Sequence, residues 1–187
     1  GNIFNVQRTT ELYVNAGVAA AHLEDQVTPK RCGHIAGKAL VPADEMIGKL
    51  RMAKAVAADL GSDMAIIART DGVSATDAPE TTRGLDLAIE RALRYLDSGA
   101  PDLVWAELPT SAREPAVRFA EEVRRRFPEA KLAFNYSSSF RWDKDADPIS
   151  FDELGALGYR FIFITLAAQH SASLGIARLF KGLRDRG

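Results

Sequence analysis

The chain has 187 residues, 47% hydrophobic and 26% charged, with 24 basic against 25 acidic side chains for a formal net charge of −1. That length buries one substantial core and is short for two domains, and so even a charge balance points neither to nucleic acid nor to an anionic membrane. The single cysteine cannot form an internal disulfide and lacks the companions of a structural zinc site, which fits a reducing, cytoplasmic compartment. Apolar runs fall well short of the roughly 20 residues of a membrane-spanning helix. The opening GNIFNVQRTT lacks the basic flank and apolar block of a secretory signal.

In chain order, short apolar runs suited to buried parallel strands occur at Ala19–Leu23, Met64–Ala68, Leu103–Ala106, Leu132–Phe134 and Phe161–Ile164. Between them lie helical patterns. One begins near Pro42 and sets Met46, Ile47, Leu50, Ala53 and Ala57 on one face; others cover about Arg83–Ser98 and Arg113–Phe127. A short helix starts at Ser150, where SFDE reads as a capping box with Glu153, and a last one runs from about Ala168 to Arg184. Gly17, Gly61, Gly99 and Gly158 fall just before strands, where a left-handed residue ends a helix. The run Arg124-Arg125-Arg126 reads as the solvated end of a helix, whose dipole favours cations there.

This βαβα repetition predicts a parallel sheet covered by helices. Each apolar run ends in polar residues: Glu24-Asp25, Arg69-Thr70-Asp71, Glu107, Asn135 and Thr165. In a (β/α)8 barrel all strand ends converge on one mouth, whereas a doubly wound sheet spreads them along an edge. Five polar endings in succession favour the barrel, of which this chain supplies five strands.

The motifs at those ends have specific chemistry. HLEDQ, His22–Gln26, sets two carboxylates at a strand end. Taken alone it is explained by a helix cap and a salt bridge; as a site, carboxylate oxygens with water suit Mg²⁺. KRCGH, Lys30–His34, surrounds the lone thiol with positive charge, which lowers a thiol pKa from its ordinary value of about 8.5 and suits proton transfer near neutrality. The alternative is a small buried hydrophobe. Gly33 and Gly37 allow close backbone approach to a ligand, or a hinge. NYSSSFRW, Asn135–Trp142, makes an ordinary turn or a carboxylate-binding segment through Asn135, Ser137 and Ser139. Arg69 offers a guanidinium for bidentate carboxylate recognition. Together these describe a pocket for a small polycarboxylate. His22 fits a strand interior and His170 a helix start, and neither takes a role.

KRCGH, with HLEDQ upstream and ARTD, WAE, NYSSSFRW and FIFITLA downstream, resembles the isocitrate lyase family of the phosphoenolpyruvate mutase superfamily, over nearly the whole chain and in order. The resemblance implies a TIM barrel and cleavage of isocitrate to succinate and glyoxylate, the lyase step of the glyoxylate cycle, with Mg²⁺ or Mn²⁺. It implies Cys32 as proton donor to the succinate carbanion, Gly33 and His34 as groups holding the products, and His34 and Glu107 with Cys32 as the catalytic set. Glu107 would sit near the reacting hydroxyl and the metal. Glu24 would support the metal through water, Arg69 would bind glyoxylate and its neighbouring carboxylate, and Asn135, Ser137, Ser139 and Thr165 would bind the succinate end. It further implies a homo-oligomer, a tetramer, acting on a small molecule, with neither nucleic acid nor membrane as partner.

Two departures qualify this. KRCGH stands where the family has KKCGH, the form associated with 2-methylisocitrate lyases, whereas WAELPTS and NYSSSFRW look like isocitrate lyase proper. Family members also carry an Asp-rich metal loop before the segment that begins here as GNIFNV. Residues 1–187 thus read as one partial barrel domain, the C-terminal five βα units, without the first strands, the principal metal aspartates and the C-terminal helical extension. As an isolated polypeptide it is expected to be inactive. A non-catalytic half-barrel that pairs with another chain is the alternative of a different class, and its two open sheet edges would be an aggregation hazard.

Overall fold

A computed structural model describes residues 1–32, 37–76, 84–137 and 145–186. In order the elements are α1 (Ile3–Asn15), β1 (Ala20–Glu24), α2 (Ala43–Asp59), β2 (Ala65–Thr70), a 3₁₀ turn (Gly72–Ser74), α3 (Leu85–Asp97), β3 (Leu103–Ala106), α4 (Arg113–Arg126), β4 (Lys131–Asn135), α5 (Phe151–Ala156), β5 (Tyr159–Phe163) and α6 (Ala167–Arg184). The five strands pair in chain order, β1-β2-β3-β4-β5, all parallel. No strand reverses the order, so the sheet has no switch point of the doubly wound kind; it is the sequential winding of a barrel. No helix among the described residues is long and apolar enough to cross a membrane.

Alternation along the strands divides the chemistry between two faces. Ile66, Ala68, Val104, Leu132 and Phe134 face the helices and join Met46, Leu50, Ala53, Phe119 and Val123 in the main core. The intervening residues Ile67, Trp105 and Ala133 form a second, small cluster on the other face, flanked by Leu103 and Phe163. Met46 and Leu50 have no exposed surface, and each such side chain contributes about 1.5–3 kcal/mol by leaving water. Gly17, Gly61, Gly99 and Gly158 all take positive φ, from 68° to 99°, ahead of β1, β2, β3 and β5. The Ser150–Glu153 capping box is present.

Two features depart from the sequence pattern. Helix α1 was not marked by it: Val6 and Val14 pack against the core but stay partly exposed, and only Thr10 is buried. The helix is closed by an Asn2–Asn5 capping box and packs on α2. Arg124 is not merely a solvated cation. Its guanidinium donates to the carbonyl oxygens of Pro128 and Leu157, fastening the end of α4 to the turn before β5.

Candidate active site

The strand register carries one polar residue from each strand end to the same rim. Glu24 ends β1 and pairs in register with Arg69 of β2, which pairs with Trp105 of β3. Glu107 follows β3, Asn135 ends β4, and Thr165 lies two residues beyond β5. Their side chains form one continuous run. Glu24 Oε2 lies 3.5 Å from Arg69 Nε, and Arg69 NH1 lies 3.7 Å from Glu107 Oε2. Asn135 Nδ2 donates to Glu107 Oε1 at 3.2 Å, and Thr165 Oγ1 donates to Asn135 Oδ1 at 3.0 Å. The five strand tips therefore share one basin, as the barrel reading requires.

Arg69 is the hub. Its Nε and NH2 clasp Asp71 at 2.9 and 3.0 Å, and its guanidinium carbon stands 4.5 Å over the Trp105 ring. Burial alone would lower its pKa, but the hydrogen bond to Asp71 and the charges of Glu107, Asp71 and Glu24 raise it instead. The sequence reading assigned this fork to a bidentate substrate carboxylate. Here Nε and NH2 engage Asp71, two residues away, which leaves NH1 as the edge that faces Glu107.

Asp71 is fully buried and also accepts from Lys38 Nζ at 2.9 Å, with both side chains shielded from solvent. Burial pushes the Asp71 carboxyl up, yet hydrogen bonds and charge from Arg69 and Lys38 hold it below the ordinary carboxylate range. The Asp71 amide donates to Asp25 Oδ1 at 2.9 Å. Asp25 Oδ2 in turn accepts from Tyr95 at 2.7 Å and Arg91 at 3.0 Å, so burial and the Asp25 charge push the Tyr95 phenol up. Lys38, Arg91 and Tyr95 were not singled out in the sequence. Arg91 and Tyr95 lie four apart on α3, one face of a helix, and that spacing is the signal that could have found them.

His22 lies on β1, at the edge of the sheet, and is exposed rather than interior as the sequence suggested, edge-on to Trp105 at 5.1 Å. Partial burial, reinforced by Arg69, lowers its pKa. Ser137 is buried beside Asn135 in sequence. Cys32 is exposed on the segment leaving β1, and among the described residues it stands outside the run from Glu24 to Thr165. Gly33, His34 and Ser139 lie outside the described residues. Gly37 has φ +82°, and a Cβ built there would sit 3.0 Å from Arg31 NH1. Its bareness thus accommodates the segment's own arginine.

The mouth carboxylates are engaged by cations: Glu24 also meets Lys30 at 3.0 Å. Among the described residues no group of three His, Cys, Asp or Glu side chains could hold a metal ion. These described residues do not by themselves form a divalent-cation site.

The profile of the phosphoenolpyruvate phosphomutase family matches residues 1–183. The chain belongs to the phosphoenolpyruvate mutase/isocitrate lyase superfamily. It is 47% identical over 186 residues to isocitrate lyase of Haloferax volcanii, covering all of this chain and 52% of that protein. Oxaloacetate acetylhydrolase bound to 3,3-difluorooxalacetate superposes with a TM-score of 0.80 at 32% identity, over 99% of this chain and 57% of its own. For 2,3-dimethylmalate lyase the TM-score is 0.76 at 34% identity, over 99% and 56%. The chain thus spans about half the length of the superfamily members it matches.

Proposed function

We propose that the protein is a carbon–carbon lyase that cleaves isocitrate to succinate and glyoxylate. The observation that supports this is the unbroken run Glu24–Arg69–Glu107–Asn135–Thr165 across five strand ends. A carboxylate base, a cation and neutral donors gathered in this way suit one small polyacid, as preorganised electrostatic catalysis requires. In this reading Glu107, held by Asn135, takes the proton of the substrate hydroxyl. The oxygen's electron pair becomes the glyoxylate carbonyl, and the bond from that carbon to its neighbour breaks. The electrons pass onto the succinate fragment, where the Cys32 thiol returns a proton. Arg69 NH1, Asn135, Ser137 and Thr165 hold the substrate carboxylates, with Gly33, His34 and Ser139 assigned to the same pocket by family likeness.

The proposal includes a divalent cation. Among the described mouth carboxylates Glu24 is the most open, with 15% of its side chain exposed, and it would support that ion through water. Chelation should abolish turnover and added Mg²⁺ restore it.

The deciding experiment is isocitrate cleavage by the whole enzyme with and without Cys32→Ser. A fall in kcat of roughly 100-fold or more is expected for loss of a general acid; a wild-type rate would remove Cys32 from that role. A second substrate reading is favoured by the likeness to 2,3-dimethylmalate lyase and by the arginine in KRCGH. Comparison of kcat/KM on isocitrate and 2-methylisocitrate separates the two, since one methyl group in a pocket is worth about 1–3 kcal/mol.

A further inference from the structure

The segment that carries Cys32 leaves β1 at Gln26 and returns at Leu40, where the two form an isolated antiparallel bridge. Val27 N–H donates to Ala39 O at 2.8 Å and Val41 N–H to Asp25 O at 2.9 Å, closing the neck. Inside that neck the Gln26 side chain is 5% exposed and is spent on one residue. Its Oε1 accepts from Arg31 N–H at 2.8 Å and its Nε2 donates to Arg31 O at 3.0 Å. A side-chain amide thus takes both backbone groups of the residue preceding Cys32, as a paired strand would. The returning arm is held separately: buried Lys38 reaches Asp71 at 2.9 Å, and its carbonyl accepts from Thr76 N–H at 2.9 Å. Asp71 is the residue that clasps Arg69.

From this geometry we infer that Gln26 is a positioning residue for Cys32. Its amide fixes the peptide leading into the thiol, while Lys38 ties the other arm to the carboxylate that orients Arg69. A carboxamide is the side chain this needs, because it offers one acceptor and one donor in a plane. A glutamate keeps the acceptor for Arg31 N–H and loses the donor to Arg31 O. The catalytic consequence rests on the lyase reading; the backbone clamp does not.

The two parts are tested separately. Amide hydrogen exchange at Arg31 and trypsin cleavage after Arg31 are measured in the wild-type protein, Gln26→Leu and Gln26→Glu. Gln26→Leu should speed both by roughly tenfold, since it removes both part-buried hydrogen bonds to Arg31, while Gln26→Glu retains amide protection but not resistance to cleavage. Equal rates in all three would overturn the clamp. In isocitrate cleavage, Gln26→Leu should lower kcat about tenfold or more with KM little changed, as expected of a displaced proton donor, with partial recovery in Gln26→Glu. A loosened Arg31 with unaltered kcat would overturn the positioning role. A wild-type enzyme that leaves isocitrate intact would defeat the lyase reading instead, with the exchange data still deciding the clamp. Gln26→Glu also serves if the leucine variant fails to fold.

Discussion

Two lysine–aspartate pairs lie at opposite ends of the same sheet. At the entry to β3, Lys54 Nζ meets both oxygens of Asp102 at 2.7 and 2.8 Å, with side chains 43% and 35% exposed. At the exit of β2, Lys38 meets Asp71 with both side chains fully covered. The contact lengths are alike, and the environments are not. An exposed pair is worth about 0–1 kcal/mol because water solvates either partner alone. A covered one costs more to break, although Asp71 keeps the Arg69 fork when Lys38 goes, so the loss is that of a charged hydrogen bond, about 1.5–3 kcal/mol. The sheet therefore concentrates its electrostatic risk at the end where substrate would bind. The opposite end uses the same residues as surface trim, apart from Asp102 Oδ2, which also receives Ile66 N–H at 2.8 Å.

The contrast yields graded tests. Lys38→Met should be the most damaging, lowering stability by about 1.5–3 kcal/mol in urea unfolding; a loss below ~1 kcal/mol would show that the covered pair is worth no more than an exposed one. Acid should come next. Because the folded Asp71 carboxyl lies below its ordinary value, the unfolded chain binds the proton first. The stabilisation is then fully present above the ordinary carboxylate range near pH 4 and is lost as pH falls from there through the lower folded value. Urea midpoints measured between pH 6 and pH 2 should show that loss in wild type and a smaller one in Lys38→Met. Lys54→Met should have the least effect, about 0–1 kcal/mol, and the pair should weaken with added salt. A salt-insensitive loss larger than this would mean that the two ends differ less than their exposure suggests.

Particular elements show what could be read in advance. Leu103–Ala106 is a strand at the positions its apolar run indicates, and the Ser150–Glu153 box forms as its spacing requires. The strand-end residues Glu24, Arg69, Glu107, Asn135 and Thr165 were legible because alternation and chain order alone carry them to one rim. Helix α1 was not, since its stability comes from an asparagine cap and contact with α2 rather than from a buried apolar stripe. Lys38 was equally silent: a lysine is ordinarily solvated, and only its approach to a residue 33 positions away makes it part of the interior.

Residue order by itself determined the parallel winding, the face each strand residue takes and the polar character of the mouth, because these follow from periods of two and 3.6 along the chain. Only the tertiary structure decided who pairs with whom. The Arg69 fork closes on Asp71, Gln26 grips Arg31, and Asp25 is shared by Tyr95, Arg91 and the Asp71 amide. Charge and hydrogen-bond partners are chosen by distance in space and by exclusion of water, and neither is a property of a sequence position.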